Sequence, residues 1–103
     1  MTSAEPEVVN NEAASRFEIR QDGEVAFAEY RLKSDHIVFP HTIVPEALEG
    51  RGLGGALVRA GMAFAKARGL PVSPHCSFFQ SYIKKHPEYA DQLTPEWRKE
   101  LAL

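Results

Sequence analysis

The chain has 103 residues, a single cysteine, 25% charged residues and a net charge of −2. That length suits one small domain with a modest core, and a lone cysteine excludes an internal disulfide and a multi-cysteine zinc site. No apolar run approaches the ~18 residues of a membrane span, and residues 1–15 lack the basic start and apolar centre of a secretory signal, so a soluble, cytoplasmic protein without a membrane partner is expected.

Residues 1–6 are small and acidic, contain a proline, and read as a disordered tail. Residues 7–103 read as one domain. Val8-Val9 is a short edge strand. Residues 16–21 alternate, with Phe17 and Ile19 facing a core and Arg16, Glu18 and Arg20 facing out. Asp22-Gly23 is a tight hairpin turn, and residues 24–32 form the return strand. Residues 36–44 form a third long strand, apolar on both faces as in a covered sheet. Pro40 cannot donate to the ladder and marks a bulge or an unpaired side.

The glycine-rich turn from Glu49 to Gly55 follows, then an amphipathic helix over residues 53–67 with Gly69 as its stop. Residues 70–76 form a short strand. The strand–helix–strand order implies a right-handed parallel crossover. Ser77 and Gln80 suggest a capping box, opening a helix with Phe78, Phe79, Tyr82 and Ile83 on its apolar face. Thr94-Pro95 opens a last short helix.

The glycine turn stands where a strand hands over to a helix. Such a junction presents backbone N–H groups and the positive end of a helix dipole to a phosphate. Gly-Lys-Ser/Thr is missing, which excludes a P-loop. Gly50, Gly52 and Gly55 match the dinucleotide fingerprint, but that motif needs an acidic residue roughly 20 positions on. From Gly50 to Pro87 there is no Asp or Glu at all, while Arg51, Arg59, Lys66, Arg68, Lys84 and Lys85 fall in this stretch. An anionic ligand suits such a segment, and a chance run on a solvated face is the alternative. With a sequence pI of about 6.1 and no nucleic-acid-binding motif, a nucleic-acid partner is not expected.

The turn resembles the acetyl-CoA-binding turn of the GNAT superfamily of N-acetyltransferases, [RQ]-x-x-G-x-[GA], with Gly52 and Gly54 at the matching positions. Glu49 stands where the family has Arg or Gln. His41-Thr42-x-Val44-Pro45, Cys76-Ser77-Phe78 and Tyr82-Ile83-x-x-His86-Pro87-x-Tyr89 extend the likeness to a minimal, single-domain GNAT subfamily. The resemblance implies an α+β fold: a mixed, mostly antiparallel sheet whose parallel central pair splays apart, with helices on its faces. It implies an acyltransferase that moves acetyl from acetyl-CoA to an amine. It implies that Ile43 and Val44 border the pantetheine arm, that Glu49, Gly50, Arg51, Gly52, Leu53, Gly54 and Gly55 hold the pyrophosphate, and that Lys85 also contacts CoA.

Three side chains are candidates for the chemistry. Cys76 ends the second parallel strand just before a helix, where a nucleophile or a proton donor belongs; a small buried apolar group is the plain alternative. His41 lies on the neighbouring strand and can form an acid/base pair with it, or be satisfied by backbone. Tyr82 is a proton donor or a packing residue. His75 points away from Cys76 on an extended strand. A CoA-binding module without catalytic function is the rival reading. The acceptor and the oligomeric state are not legible.

Overall fold

The computed structural model describes residues 6–103. The tail expected at residues 1–6 therefore lies outside the described residues, Pro6 excepted. The strands are β1 (Val9–Asn11), β2 (Arg16–Gln21), β3 (Glu24–Glu29), β4 (Arg31–Leu32), β5 (Ile37–Val38), β6 (Thr42–Ile43) and β7 (Val72–Ser73). The helices are α1 (Leu53–Arg68), α2 (Ser77–Lys85) and α3 (Pro95–Leu101). Two sheets form: an antiparallel one in the order β1-β2-β3-β6, and a smaller one in the order β4-β5-β7, in which β5 and β7 run parallel. This is a mixed α/β fold, as the resemblance implies.

The β2–β3 hairpin is the frame. Asp22 and Gly23 both take positive φ, 52° and 78°, which matches the twist of the flanking strands. Cross-strand partners are Phe17 with Ala28 and Ile19 with Ala26. Each large side chain faces a small one, so α1 can lie close over this surface. The core runs from there through Ile37, Phe39, Leu57, Val58, Met62 and Val72 to Phe79 and Ile83. Phe39 and Phe79 stack at 4.4 Å between ring centroids. A Cβ on Gly61 would stand 2.9 Å from the Phe39 ring, so this glycine lets α1 cross directly above the stacked pair.

Three strands are shorter than the spans expected for them, each because its backbone donors are diverted or missing. The span 24–32 divides at Tyr30, whose N–H turns to Ser15 O (2.9 Å), so its two halves serve different sheets. The span 36–44 divides at Pro40: β5 stays with β7, and β6 crosses to pair with β3. The span 70–76 is ladder only at Val72–Ser73, because Pro71 and Pro74 donate nothing. Phe39 still bonds to this partner strand, through Phe39 N–H to Ser73 O (3.1 Å) and Cys76 N–H to Phe39 O (2.9 Å). Beyond it the two chains part. Backbone pairing of the parallel runs therefore ends at Phe39 on one side and Cys76 on the other, and past Pro40 the chain pairs with β3 instead.

Two local expectations need correction. Ser77 does not cap α2. Cys76 is the N-cap and makes no side-chain bond there, while Gln80 Nε2 donates to Pro74 O (2.9 Å). Gln80 thus fixes the proline bend, a task that competes with the capping box. Glu18 was expected in water, yet it is only 4% exposed. Arg16 and Arg20 from its own strand and Asn11 from β1 close over it on the outer face of the sheet. The Arg16 hydrogen bond outweighs burial and, with the Asn11 bond, holds the Glu18 carboxyl below its ordinary 4.5.

The other end signals stand as read. Gly69, at φ 67°, closes α1 with its N–H on helix carbonyls, and Thr94 caps α3 by accepting from Trp97 N–H at 3.2 Å.

Candidate functional site

The splay and the glycine turn border one cleft of about 450 Å³. Its walls are Thr42 and Val44 from the β6 side, Leu48, Glu49 and Gly50 from the turn, Gly52, Leu53, Gly54 and Gly55 from the start of α1, and Phe78 from α2. The volume lies within the usual range of small-molecule sites.

The glycines divide into two groups. Gly50 and Gly52 have φ of 83° and 78°, which an L side chain rarely adopts, and a Cβ on either would meet nothing within 4 Å. They are glycines for conformation, and they leave open space beside the backbone. Gly52 is also the N-cap of α1, so no side chain covers that helix end, and no acidic residue occupies its first turn. An uncapped start of a 16-residue helix, facing a cleft, favours an anion. Gly54 and Gly55 do not have positive φ. They are glycines for space: a Cβ on Gly54 would lie 2.4 Å from Phe78 Cζ, and one on Gly55 3.2 Å from Tyr82 Cε2.

The chemistry-bearing residues are arranged differently from expectation. Cys76 is buried, 7% exposed, and its Sγ lies 3.2 Å from Thr42 Oγ1. Its partner is thus Thr42 and not His41. Successive residues of an extended chain point to opposite faces, so if Thr42 faces the thiol, His41 faces out. His41 is exposed, with Nε2 4.0 Å from Glu29 Oε1. Tyr82 is half-buried; its hydroxyl accepts from Arg59 Nη1 at 2.9 Å, and its ring stacks on His86 at 4.3 Å. Neighbouring Tyr89 has its hydroxyl pushed above the ordinary 10.0, first by burial and then by the charge of Tyr82. His75 is exposed and turned edge-on to Trp97, on the side away from Cys76.

Of the expected ligand-holding residues, Val44, Glu49, Gly50, Gly52, Leu53, Gly54 and Gly55 line the cleft, and Ile43, Arg51 and Lys85 stand outside its lining. Ile43 is half-exposed on the outer face of the sheet. The Arg51 guanidinium reaches the hairpin instead, 2.8 Å from Asp22 and 3.0 Å from Gln21 Oε1. What it leaves at the turn is its backbone. Thr42, Leu48 and Phe78 were missed. Both Thr42 and Phe78 stand in the motifs that carry the resemblance, but alternation from His41 is the only geometric signal for Thr42, and helical spacing puts Phe78 on the core face of α2. Among the described residues no cluster of His, Cys, Asp and Glu is placed to hold a metal, and no helix is long and apolar enough to cross a membrane.

A mixed fold with a parallel pair that separates, and a glycine turn feeding a helix beside the separation, is the architecture that the resemblance to N-acetyltransferases implies. Residues 16–92 match the family model described as GCN5-related N-acetyl-transferase. The chain belongs to that family. It is 32% identical over 85 residues to Protein NATD1 of Mus musculus, covering 78% of this chain and 77% of that protein. It is 30% identical over 94 residues to Protein NATD1 of Gallus gallus, covering 86% of each. The match to Protein NATD1 of Xenopus tropicalis is 37% over 57 residues and spans 52% of that protein, about half its length.

Proposed function

We propose that residues 7–103 form one acetyltransferase unit, working inside the cell, that binds acetyl-CoA in this cleft and passes the acetyl group to an amine. The observation that carries the reading is the pair of positive-φ glycines at the uncapped start of α1, opening on a cleft that reaches Thr42, the partner of Cys76. The backbone N–H groups from Gly50 to Gly55 would hold the pyrophosphate. Val44, Leu48 and Leu53 give apolar walls for the pantetheine arm. Glu49 is exposed, so its carboxylate can turn to water and leave the backbone donors to the phosphates. Bound acetyl-CoA would supply an activated acetyl thioester.

The chain's own part is to hold the ligand, exclude water along the apolar walls and keep a proton at Cys76 Sγ. The thiol can give that proton to a departing thiolate, or lose it and act as a nucleophile. His41 and Tyr82 rank behind Cys76, since one sits beside Glu29 and the other against Arg59 and His86. A second reading, a CoA-binding module without turnover, is favoured by one observation: the neighbour of the thiol is a neutral hydroxyl rather than a base.

Titration calorimetry with CoA is expected to show one site. No heat at millimolar CoA would sink both readings. A transfer assay over a panel of amines and peptides separates them: turnover supports the enzyme, and binding without turnover on every acceptor supports the module. Mass spectrometry after exposure to acetyl-CoA then tests for an acetyl adduct on Cys76, whose absence points to direct attack by the amine.

A further inference from the structure

Arg51 is the only basic residue of the turn from Glu49 to Gly55, and it stands outside the lining of the cleft. Its guanidinium reaches three acceptors. Nη1 lies 2.8 Å from Asp22 Oδ2 and donates to Gln21 Oε1 at 3.0 Å, and Nη2 makes a long bond to Ala47 O at 3.5 Å. Gln21 ends β2, Asp22 begins the hairpin turn, and Ala47 lies in the single helical turn before the glycines. One planar fork thus joins the hairpin tip to the glycine turn, a task for which the point charge of a lysine is poorly shaped.

The position of Arg51 gives this contact its weight. Its neighbours are Gly50 and Gly52, and a Cβ on either would meet nothing within 4 Å. The two glycines give the turn its shape, but nothing packs beside them, and ordering glycine backbone is entropically expensive. Leu48 and Leu53, both buried, fix the two ends of the segment. Arg51 fixes its middle.

We infer that Arg51 is a positioning residue for the phosphate cradle. Through its ion pair with Asp22 it holds the turn where the backbone donors on either side of it meet the ligand. The inference rests on the acetyl-CoA reading above. It replaces a direct hold of the Arg51 side chain on the pyrophosphate, and the two roles predict opposite signs. A guanidinium that has to leave Asp22 to reach a phosphate gains when that partner is removed. A guanidinium that steadies the turn through Asp22 loses.

The test measures CoA dissociation constants by calorimetry for the full chain, Asp22→Asn, Arg51→Ala, Arg51→Lys and the Asp22→Asn/Arg51→Ala double variant, with thermal melts to check folding. Asparagine is nearly isosteric with Asp22 and tolerates its φ of 52°, so the hairpin keeps its turn. Asp22→Asn is expected to weaken CoA binding about three- to fivefold, the scale of an exposed ion pair, and the difference to shrink at high salt. Arg51→Ala is expected to lose about five- to tenfold, Arg51→Lys to recover only part of it, and the double variant to be no weaker than Arg51→Ala by more than about twofold. In the ligand-free protein, amide hydrogen exchange from Gly50 to Gly54 is expected to speed up in Asp22→Asn while the β2–β3 amides keep their rates, a change that general destabilisation would not confine to the turn. If Asp22→Asn does not fold, Gln21→Ala carries the comparison with a smaller loss. Unchanged or tighter CoA binding in the folded hairpin variant overturns the inference. So do unchanged exchange in the turn and fully additive losses in the double variant, which would assign Arg51 to the ligand itself. In all these outcomes CoA still binds the parent chain. Failure of CoA to bind the parent chain instead removes the acetyl-CoA reading.

Discussion

The two sides of the cleft are built from different materials. On the turn side, Gly50 and Gly52 act through backbone conformation, φ 83° and 78°, and no side chain crowds them. On the opposite side, Thr42 and Phe78 line the cleft through side chains, and Cys76 lies behind Thr42 at 3.2 Å, the three placed by separate pieces of structure: β6, the first turn of α2 and the end of the proline bend. The turn is a local device. Its conformation depends on residues adjacent in sequence. The thiol side exists only after two sheets have parted and α2 has packed on Phe39. A backbone site should therefore fail with a single Cβ in the wrong φ, while a side-chain site should lose chemistry and keep its grip.

The largest effect is expected at the turn. Gly52→Ala puts a Cβ where φ is 78°, a strain of about 1–3 kcal/mol. CoA affinity is expected to fall about 10–100-fold by calorimetry, with the melting curve little changed if the turn relaxes by moving. Unaltered affinity would mean that the turn does not hold the ligand. On the other side, Cys76→Ala is expected to lower the transfer rate at least about tenfold and to leave the CoA dissociation constant within about threefold. A matched loss of binding would erase the contrast between the two sides. Thr42→Val should reproduce part of the rate loss, because it removes the thiol's partner at 3.2 Å.

A smaller effect, on stability rather than on the cleft, is expected at Glu18. Its folded carboxyl is held below 4.5, chiefly by Arg16. The stability it adds is present above the unfolded value and is lost as pH falls through the lower folded value. Glu18→Gln should cost about 1 kcal/mol at pH 7, and the difference from the parent should shrink in denaturant titrations below about pH 4. A constant difference across that range would contradict the assignment. The smallest effect belongs to Tyr82→Phe. It removes the hydroxyl that accepts from Arg59 and keeps the stack on His86, so stability should change by at most about 1 kcal/mol and transfer by less than about threefold. A large rate loss there would move the proton donor from Cys76 to Tyr82.

Much of the fold was legible in the residues because its signals are local. Asp22-Gly23, Gly69 and Thr94-Pro95 mark their turns and ends by φ preference and capping, and the apolar periodicity of residues 53–67 marks α1 within one residue of its end. Strand lengths were not legible. Whether an apolar β-branched run stays in one sheet depends on which neighbour takes its N–H groups, and Tyr30 and Pro40 hand their runs to a second sheet. Glu18 was misread for a related reason. Alternation put it on the outer face, but three polar side chains from two strands cover that face over it.

The sequence by itself determined the class of site. A strand-to-helix junction with glycines, followed by a long stretch without carboxylates, favours an anion through conformational freedom and charge, and both are properties of the chain before it folds. Only the tertiary structure decided what faces that cradle. It paired Cys76 with Thr42 rather than His41, because adjacent strand residues point to opposite faces. It tied Arg51 to the hairpin, since Asp22 and Gln21 come within reach only when β2 and β3 close. And it set the Phe78 ring against Gly54 as a wall of the cleft, a contact between two helices that no spacing along the chain encodes.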